Sequence, residues 1–179
     1  MVGGSYHVLI KKVDLRNMKI LVLGAFGMAG HTVALYFKEQ GYEVHAFARR
    51  PFPYCMWIQG DAFDIENLKT IVTTGRYDVV INCIGLLNQF AESAPEKAIY
   101  INSYLPHLIV SWLKDTSTRF IQMSTDCVFA GNTGPYDEES FPDGKSYYDR
   151  TKALGEVNDD KNLTFRNSII GPDINENGI

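Results

Sequence analysis

The stretch from Lys19 to Gln40 limits the possible folds more than any other part of this chain. Ile20-Leu21-Val22-Leu23 is an unbroken apolar run, as expected of a strand covered on both faces. Gly24-Ala25-Phe26-Gly27-Met28-Ala29-Gly30 follows at once, and Met28 to Gln40 then reads as a helix with Ala29, Val33, Ala34 and Phe37 on one side and Gly41 as its C-terminal cap. A strand that turns through three glycines into a helix lets the backbone approach a pyrophosphate closely. The first turn of the helix then presents N–H donors and the positive end of its dipole. Gly24, Phe26, Gly27, Met28 and Gly30 are therefore the expected phosphate-binding residues of a dinucleotide site.

The rest of the chain repeats the alternation. Tyr42 to Ala48, Met56 to Ile58, Asp78 to Asn82, Arg119 to Met123 and Leu163 to Arg166 read as strands. Asp64 is placed to cap a helix running through Ile71. Ser93 to Lys114 reads as the longest helix, with Ser93 and Glu96 at capping-box spacing and Ala98, Ile101, Leu105, Leu108, Ile109 and Trp112 as its buried stripe. Tyr147 to Val157 is another helix, and residues 130–145 form a loop. Strands alternating with helices predict an α/β, doubly wound parallel sheet of the Rossmann type with helices on both faces. Residues 18–179 would form this domain, with residues 1–17 as an N-terminal extension, or an extra edge strand through Val8-Leu9-Ile10.

Composition narrows the function classes. The net charge of −4 gives nucleic acid no electrostatic footing. No apolar run approaches the ~20 residues of a membrane span. Three widely spaced cysteines, Cys55, Cys83 and Cys127, form no Cys-x-x-Cys pair, so neither a metal site nor a disulfide framework is indicated, and the expected location is the cytoplasm.

Strand ends carry the cofactor signals. A site selective for NAD places an acid at the end of the second strand, ~20 residues past the glycine turn, where it holds the ribose 2′-hydroxyl. Here Ala48 is followed by Arg49 and Arg50, suited to a 2′-phosphate. NADP(H) is favoured and NAD(H) is the alternative. Asp61 is placed to accept a hydrogen bond from the adenine amino group. Asn82 and Gly85, at the end of the fourth strand, would line the crevice, unless they only form the turn.

The chemistry-bearing residues lie further along. Ser124, Thr125 and Asp126 end the fifth strand, where a hydroxyl can hydrogen-bond a substrate oxygen. Tyr148 and Lys152 stand four apart on one helical face, a phenol beside an ammonium that would lower its pKa toward neutrality. A glycine turn, a Ser/Thr at a strand end and a Tyr-x-x-x-Lys helix, in that order, resemble the extended short-chain dehydrogenase/reductase superfamily over about Met18 to Ile179. Ser124-Thr125-Asp126-Cys127-Val128-Phe129-Ala130-Gly131, Gly134-Pro135-Tyr136-Asp137-Glu138 and Tyr148 to Glu156 (YDRTKALGE) are similar to the dTDP-4-dehydrorhamnose reductase family.

That resemblance implies reduction of a nucleotide-linked 4-keto sugar for deoxysugar and surface-polysaccharide synthesis. Thr125, Tyr148 and Lys152 would be catalytic, Lys152 would also hold the nicotinamide ribose, and Ser124 and Asp126 would touch substrate. The alternatives are an epimerase or dehydratase of the same superfamily, or a non-catalytic NAD(P)-binding regulatory subunit. Cys127 stands where the related dehydratases carry a Glu, which speaks against dehydration, and where the reductases carry an aromatic residue, which leaves the sugar open. Asn102 has Pro106 four residues on. Proline has no N–H, so the Asn102 carbonyl loses its helical partner, and the superfamily uses such a carbonyl to hold a water linked to the lysine. Family members also carry a C-terminal lobe over the sugar; the sequence stops before it, so the expectation is either a fragment or a chain in which the substrate lobe is missing. Cofactor binding is expected to survive that loss better than catalysis, and the uncovered edge would favour a homodimer.

Overall fold

The computed structural model describes residues 18–169; the readings placed on residues 1–17 and on residues 170–179 lie outside them. Six strands form one parallel sheet, β1 (Lys19–Leu23), β2 (Glu43–Ala48), β3 (Met56–Gln59), β4 (Val79–Asn82), β5 (Arg119–Met123) and β6 (Leu163–Phe165), in the order β3-β2-β1-β4-β5-β6. The order reverses between β1 and β4, whose register pairs Leu23 with Asn82. This switch point opens a crevice at the carboxyl ends of the strands, where open α/β sheets bind ligands.

Alternation within β1 divides the core. Ile20 and Val22 pack with Val44, Ala46 and Ile81 against Ala34, Val33 and Phe37 of α1 (Met28–Glu39) on one face. Leu21 and Leu23 pack with Val80 and Phe120 on the other, against Leu68 and Val72 of α2 (Ile65–Thr74) and against Leu105, Ile109 and Leu113 of α5 (Leu105–Leu113). Helices thus cover both faces, as the apolar runs required. At the β6 edge Leu163 and Phe165 are about half exposed, at 47% and 51%. Among the described residues no helix is long and apolar enough to cross a membrane.

The expected single helix from Ser93 to Lys114 is instead a series. It comprises α3 (Asn88–Ser93), α4 (Pro95–Ala98), a π-helical turn (Ile99–Tyr104) and α5. The capping box at Ser93 and Glu96 does not form. Ser93 donates to the Phe90 carbonyl, and Ala94, in non-helical backbone at φ −140° and ψ 69°, precedes Pro95 at the first helical position. Proline disfavours helical backbone at the preceding residue and suits the first turn of a new helix, and here that preference overrides the spacing signal. The box forms further on, at the start of α6 (Tyr147–Leu154), between Ser146 and Asp149.

Candidate active site

The glycine turn has the form that close approach demands. Gly24 takes φ +78°, and its N–H and that of Ala25 both donate to the Phe47 carbonyl on β2. A Cβ at Gly30 would lie 2.1 Å from the Gly24 carbonyl oxygen, so α1 packs on the turn more tightly than any side chain permits. The N-cap of α1 is Gly27, with no side-chain cap and no acid in the first turn, which leaves this helix end suited to an anion. Arg49 and Arg50 are exposed at the end of β2, and the Arg50 guanidinium lies 5.7 Å from the Phe26 ring centre. Arg50 and the glycine turn therefore face one region. Asp61 is half-buried, and its carboxylate accepts from the Phe63 N–H at 3.0 Å.

Across the switch point lies a buried polar chain. Asn82 is fully buried; its Oδ1 accepts from the Ile84 N–H and its amide donates to Gln122 at 2.8 Å. Gln122 donates to the Met123 carbonyl, which also accepts from Lys152 at 2.6 Å. Asn82 therefore supports the site from beneath, through hydrogen bonds within the sheet. Gly85 is exposed and sits above it, where a Cβ would lie 3.7 Å from the Asn102 amide oxygen and 4.0 Å from the Lys152 Nζ.

Asn102 is brought to this place by both its side chain and its backbone. The side-chain amide pairs with both backbone groups of Leu86 (2.8 and 2.9 Å) and donates to the Thr151 hydroxyl at 3.1 Å. Its carbonyl, freed by Pro106, lies against Gly155 at the end of α6, where a Cβ would sit 1.8 Å away. Only glycine fits there. The Asn102 carbonyl thus borders Gly155, while its side chain makes the hydrogen bonds to Leu86 and Thr151.

Tyr148 and Lys152 both lie on the buried face of α6. Burial is the main influence on each. It pushes the Lys152 ammonium down to about 8, with Cys83 and Glu156 pulling the other way. It pushes the Tyr148 phenol above its ordinary value, against a hydrogen bond with Thr125 and in concert with Cys127, Asp149 and Asp126. This corrects the expectation that the lysine depresses the phenol. Lys152 directs its Nζ to the Met123 carbonyl, and desolvation dominates the tyrosine.

Thr125 is buried beside them and caps the 3-10 turn Asp126–Val128, accepting from the Cys127 N–H at 3.2 Å. Asp126 is exposed, and its carboxyl is held below its usual range first by the Ser168 hydroxyl. Ser124 is buried and turned away, its hydroxyl donating to Glu156 at 2.9 Å. Sequence reasoning named neither Glu156 nor its partner Arg166 as site residues. Their only sequence signals were the last letter of YDRTKALGE and an arginine closing the sixth strand.

Comparison with known proteins bears on this geometry. The family model described as RmlD substrate binding domain matches residues 18–167. A probable low-salt glycan biosynthesis reductase of Haloferax volcanii is 34% identical over 143 residues, covering 78% of this chain and 48% of that protein. A dTDP-4-dehydrorhamnose reductase of Mycolicibacterium smegmatis is 29% identical, covering 81% and 42%. The crystal structure of a hypothetical dTDP-4-dehydrorhamnose reductase from Sulfolobus tokodaii superposes with a TM-score of 0.75 at 30% identity, covering 83% of this chain and 55% of that one. The chain spans about half the length of the curated relatives it matches.

Proposed function

Because the chain belongs to the RmlD substrate-binding-domain family, we propose that it carries the nicotinamide-binding and catalytic half of a sugar-nucleotide reductase, acting on a 4-keto nucleotide sugar in deoxysugar or glycan synthesis. The observation that carries this reading is the convergence of Thr125, Tyr148 and Lys152 at the crevice edge, opposite a glycine turn shaped for a pyrophosphate.

The residues fit a dinucleotide. The uncapped start of α1 would take the pyrophosphate, Arg49 and Arg50 the 2′-phosphate of NADP(H), and Lys152 with the exposed Gly85 segment the nicotinamide ribose. When bound, the nicotinamide supplies hydride to the ketone carbon. Thr125 orients the carbonyl, Tyr148 donates a proton to the oxygen as charge develops there, and Lys152 supplies a positive charge beside it. Burial of the phenol excludes bulk water from that proton transfer. A cytoplasmic location suits a nicotinamide-dependent reaction on a nucleotide sugar.

A 4-keto-6-deoxy sugar nucleotide added to the chain with NADPH is expected to cause net loss of absorbance at 340 nm. Formation of an epimer with the cofactor unchanged would overturn the reductase reading. Cofactor preference has its own test. Arg50→Ala is expected to weaken NADPH binding about tenfold, the scale of one lost charge-assisted hydrogen bond, and to change NADH affinity less than about threefold, read by nucleotide fluorescence. Equal losses for both nucleotides would remove the arginine from 2′-phosphate recognition.

Methionine adenosyltransferase 2 subunit beta of Xenopus tropicalis, 28% identical over 158 residues, is also a relative and keeps a subunit role as the second reading. The complete Thr125, Tyr148 and Lys152 set favours the enzyme.

A further inference from the structure

Glu156 lies one helical turn beyond Lys152, just past the end of α6. Its side chain is 8% exposed, an expensive place for a carboxylate unless every oxygen is satisfied. Here they are. Oε1 accepts from the Ser124 hydroxyl at 2.9 Å and from Arg166 Nε at 2.9 Å, and Oε2 accepts from Arg166 Nε and Nη2 at 3.2 and 2.8 Å. Arg166 leaves β6 with its guanidinium 4.9 Å from the Phe129 ring centre and its Nη1 on the Glu138 carbonyl. Phe129 in turn stacks on Tyr136 at 4.3 Å. One carboxylate thus joins the exits of β5, α6 and β6, and reaches the 129–144 loop through Arg166.

We infer that Glu156 is a positioning residue for the catalytic set: it fixes the Ser124–Thr125 strand end against α6 and keeps a negative charge beside the Lys152 ammonium. The inference rests on the reading of Thr125, Tyr148 and Lys152 as that set. A brace made only for stability would need the Arg166 fork and nothing more. The Ser124 hydroxyl adds a bond to the residue adjoining Thr125, and Glu156 is the one carboxylate among the groups that act on Lys152. The others are the Cys83 thiol from the end of β4 and the Met123 carbonyl from β5. On its far side Glu156 faces Arg166, which is itself flanked by Glu138 and Glu139.

Two variants separate the charge from the bond, and both are read in the chain alone. Glu156→Gln keeps an acceptor for Ser124 and removes the charge. Lysine ε-carbon NMR is expected to show the Lys152 midpoint moving to lower pH by roughly half a pH unit or more; a midpoint within about 0.2 of wild type would overturn the inference. Ser124→Ala keeps the charge and removes the bond. Hydrogen exchange at the Cys127 amide, which donates to Thr125 Oγ1, is expected to quicken about tenfold as the turn loosens, and an unchanged rate would overturn the positioning role. Should Glu156→Gln fail to fold, Ser124→Ala decides alone. Binding of NADPH by the wild-type chain, measured beside them, tests the nicotinamide reading separately, because neither spectroscopic readout depends on it.

Discussion

Tyr148→Phe is expected to lower the turnover of a 4-keto nucleotide sugar by two to four orders of magnitude while leaving NADPH affinity within about threefold, the range a positioned general acid supplies. The size follows from where the phenol sits. Tyr148 is 8% exposed and packs with Ala91 and Ala98 of α3 and α4, so a phenylalanine ring fills the same space. What is lost is the hydroxyl, with its Thr125 hydrogen bond and its proton. Water cannot easily replace that proton in a pocket walled by these helices. Removing the hydroxyl should cost about 1 kcal/mol of stability, the value of one neutral hydrogen bond, so the folded population barely changes. Steady-state kinetics with a parallel fluorescence titration of NADPH decides the matter. Turnover within about tenfold of wild type would remove Tyr148 as the acid and return the role to another group.

The parts of this site that were legible in sequence are those set by local backbone rules. A glycine triplet between an apolar run and an amphipathic segment can only be a strand–turn–helix, and the two alternating faces of Ile20 to Leu23 could be read directly. Asn102 was legible because Pro106 removes a specific donor, although the use made of its freed carbonyl, packing on Gly155, depends on a helix some fifty residues away. The corrections came where two local signals competed, or where a nonlocal one decided. Pro95 defeats the Ser93 box because the steric preference at the residue before a proline outweighs one side-chain hydrogen bond here. Asn82 looks like a crevice residue until the β4–β5 register sets it beside Gln122. The junction of Ser124, Glu156 and Arg166 spans 42 residues of sequence and exists only because β5, α6 and β6 end together. The raised phenol of Tyr148 has the same origin, since helical spacing reports which groups are neighbours and says nothing of how much water reaches them.

Replacing Lys152 with methionine should make the folded chain more stable at pH 7 by about 2 kcal/mol, although it removes the cation proposed to act in catalysis. The ammonium is 5% exposed and titrates at about 8 in the folded protein, against ~10.4 in an unfolded chain. Below pH 8 both states hold the proton, and the folded state bears the full cost of a buried charge. Between the two values the unfolded chain binds more protons, so wild-type stability rises with pH and the cost is gone near pH 10.4. The shift corresponds to about 3 kcal/mol, from which about 1 kcal/mol is subtracted for the Met123 carbonyl left without its Nζ partner. Cys83 and Tyr77, both pushed up to about 12 by burial, lower stability as pH rises past their ordinary values. Tyr77 does so equally in both proteins and cancels in the difference, whereas Cys83, which the Lys152 ammonium pulls down, is pushed higher still without it and lowers the variant further at high pH. Urea unfolding should therefore show Lys152→Met ahead of wild type at pH 7 and level with it or behind at pH 10.5. A gap of the same size at both pH values would assign the gain to apolar packing and place the lysine's charge in water. The direction matters for function as well as for folding. A lysine that costs stability at neutral pH is retained against the folding equilibrium, which points to selection for what its charge does at the crevice rather than for what it adds to the core.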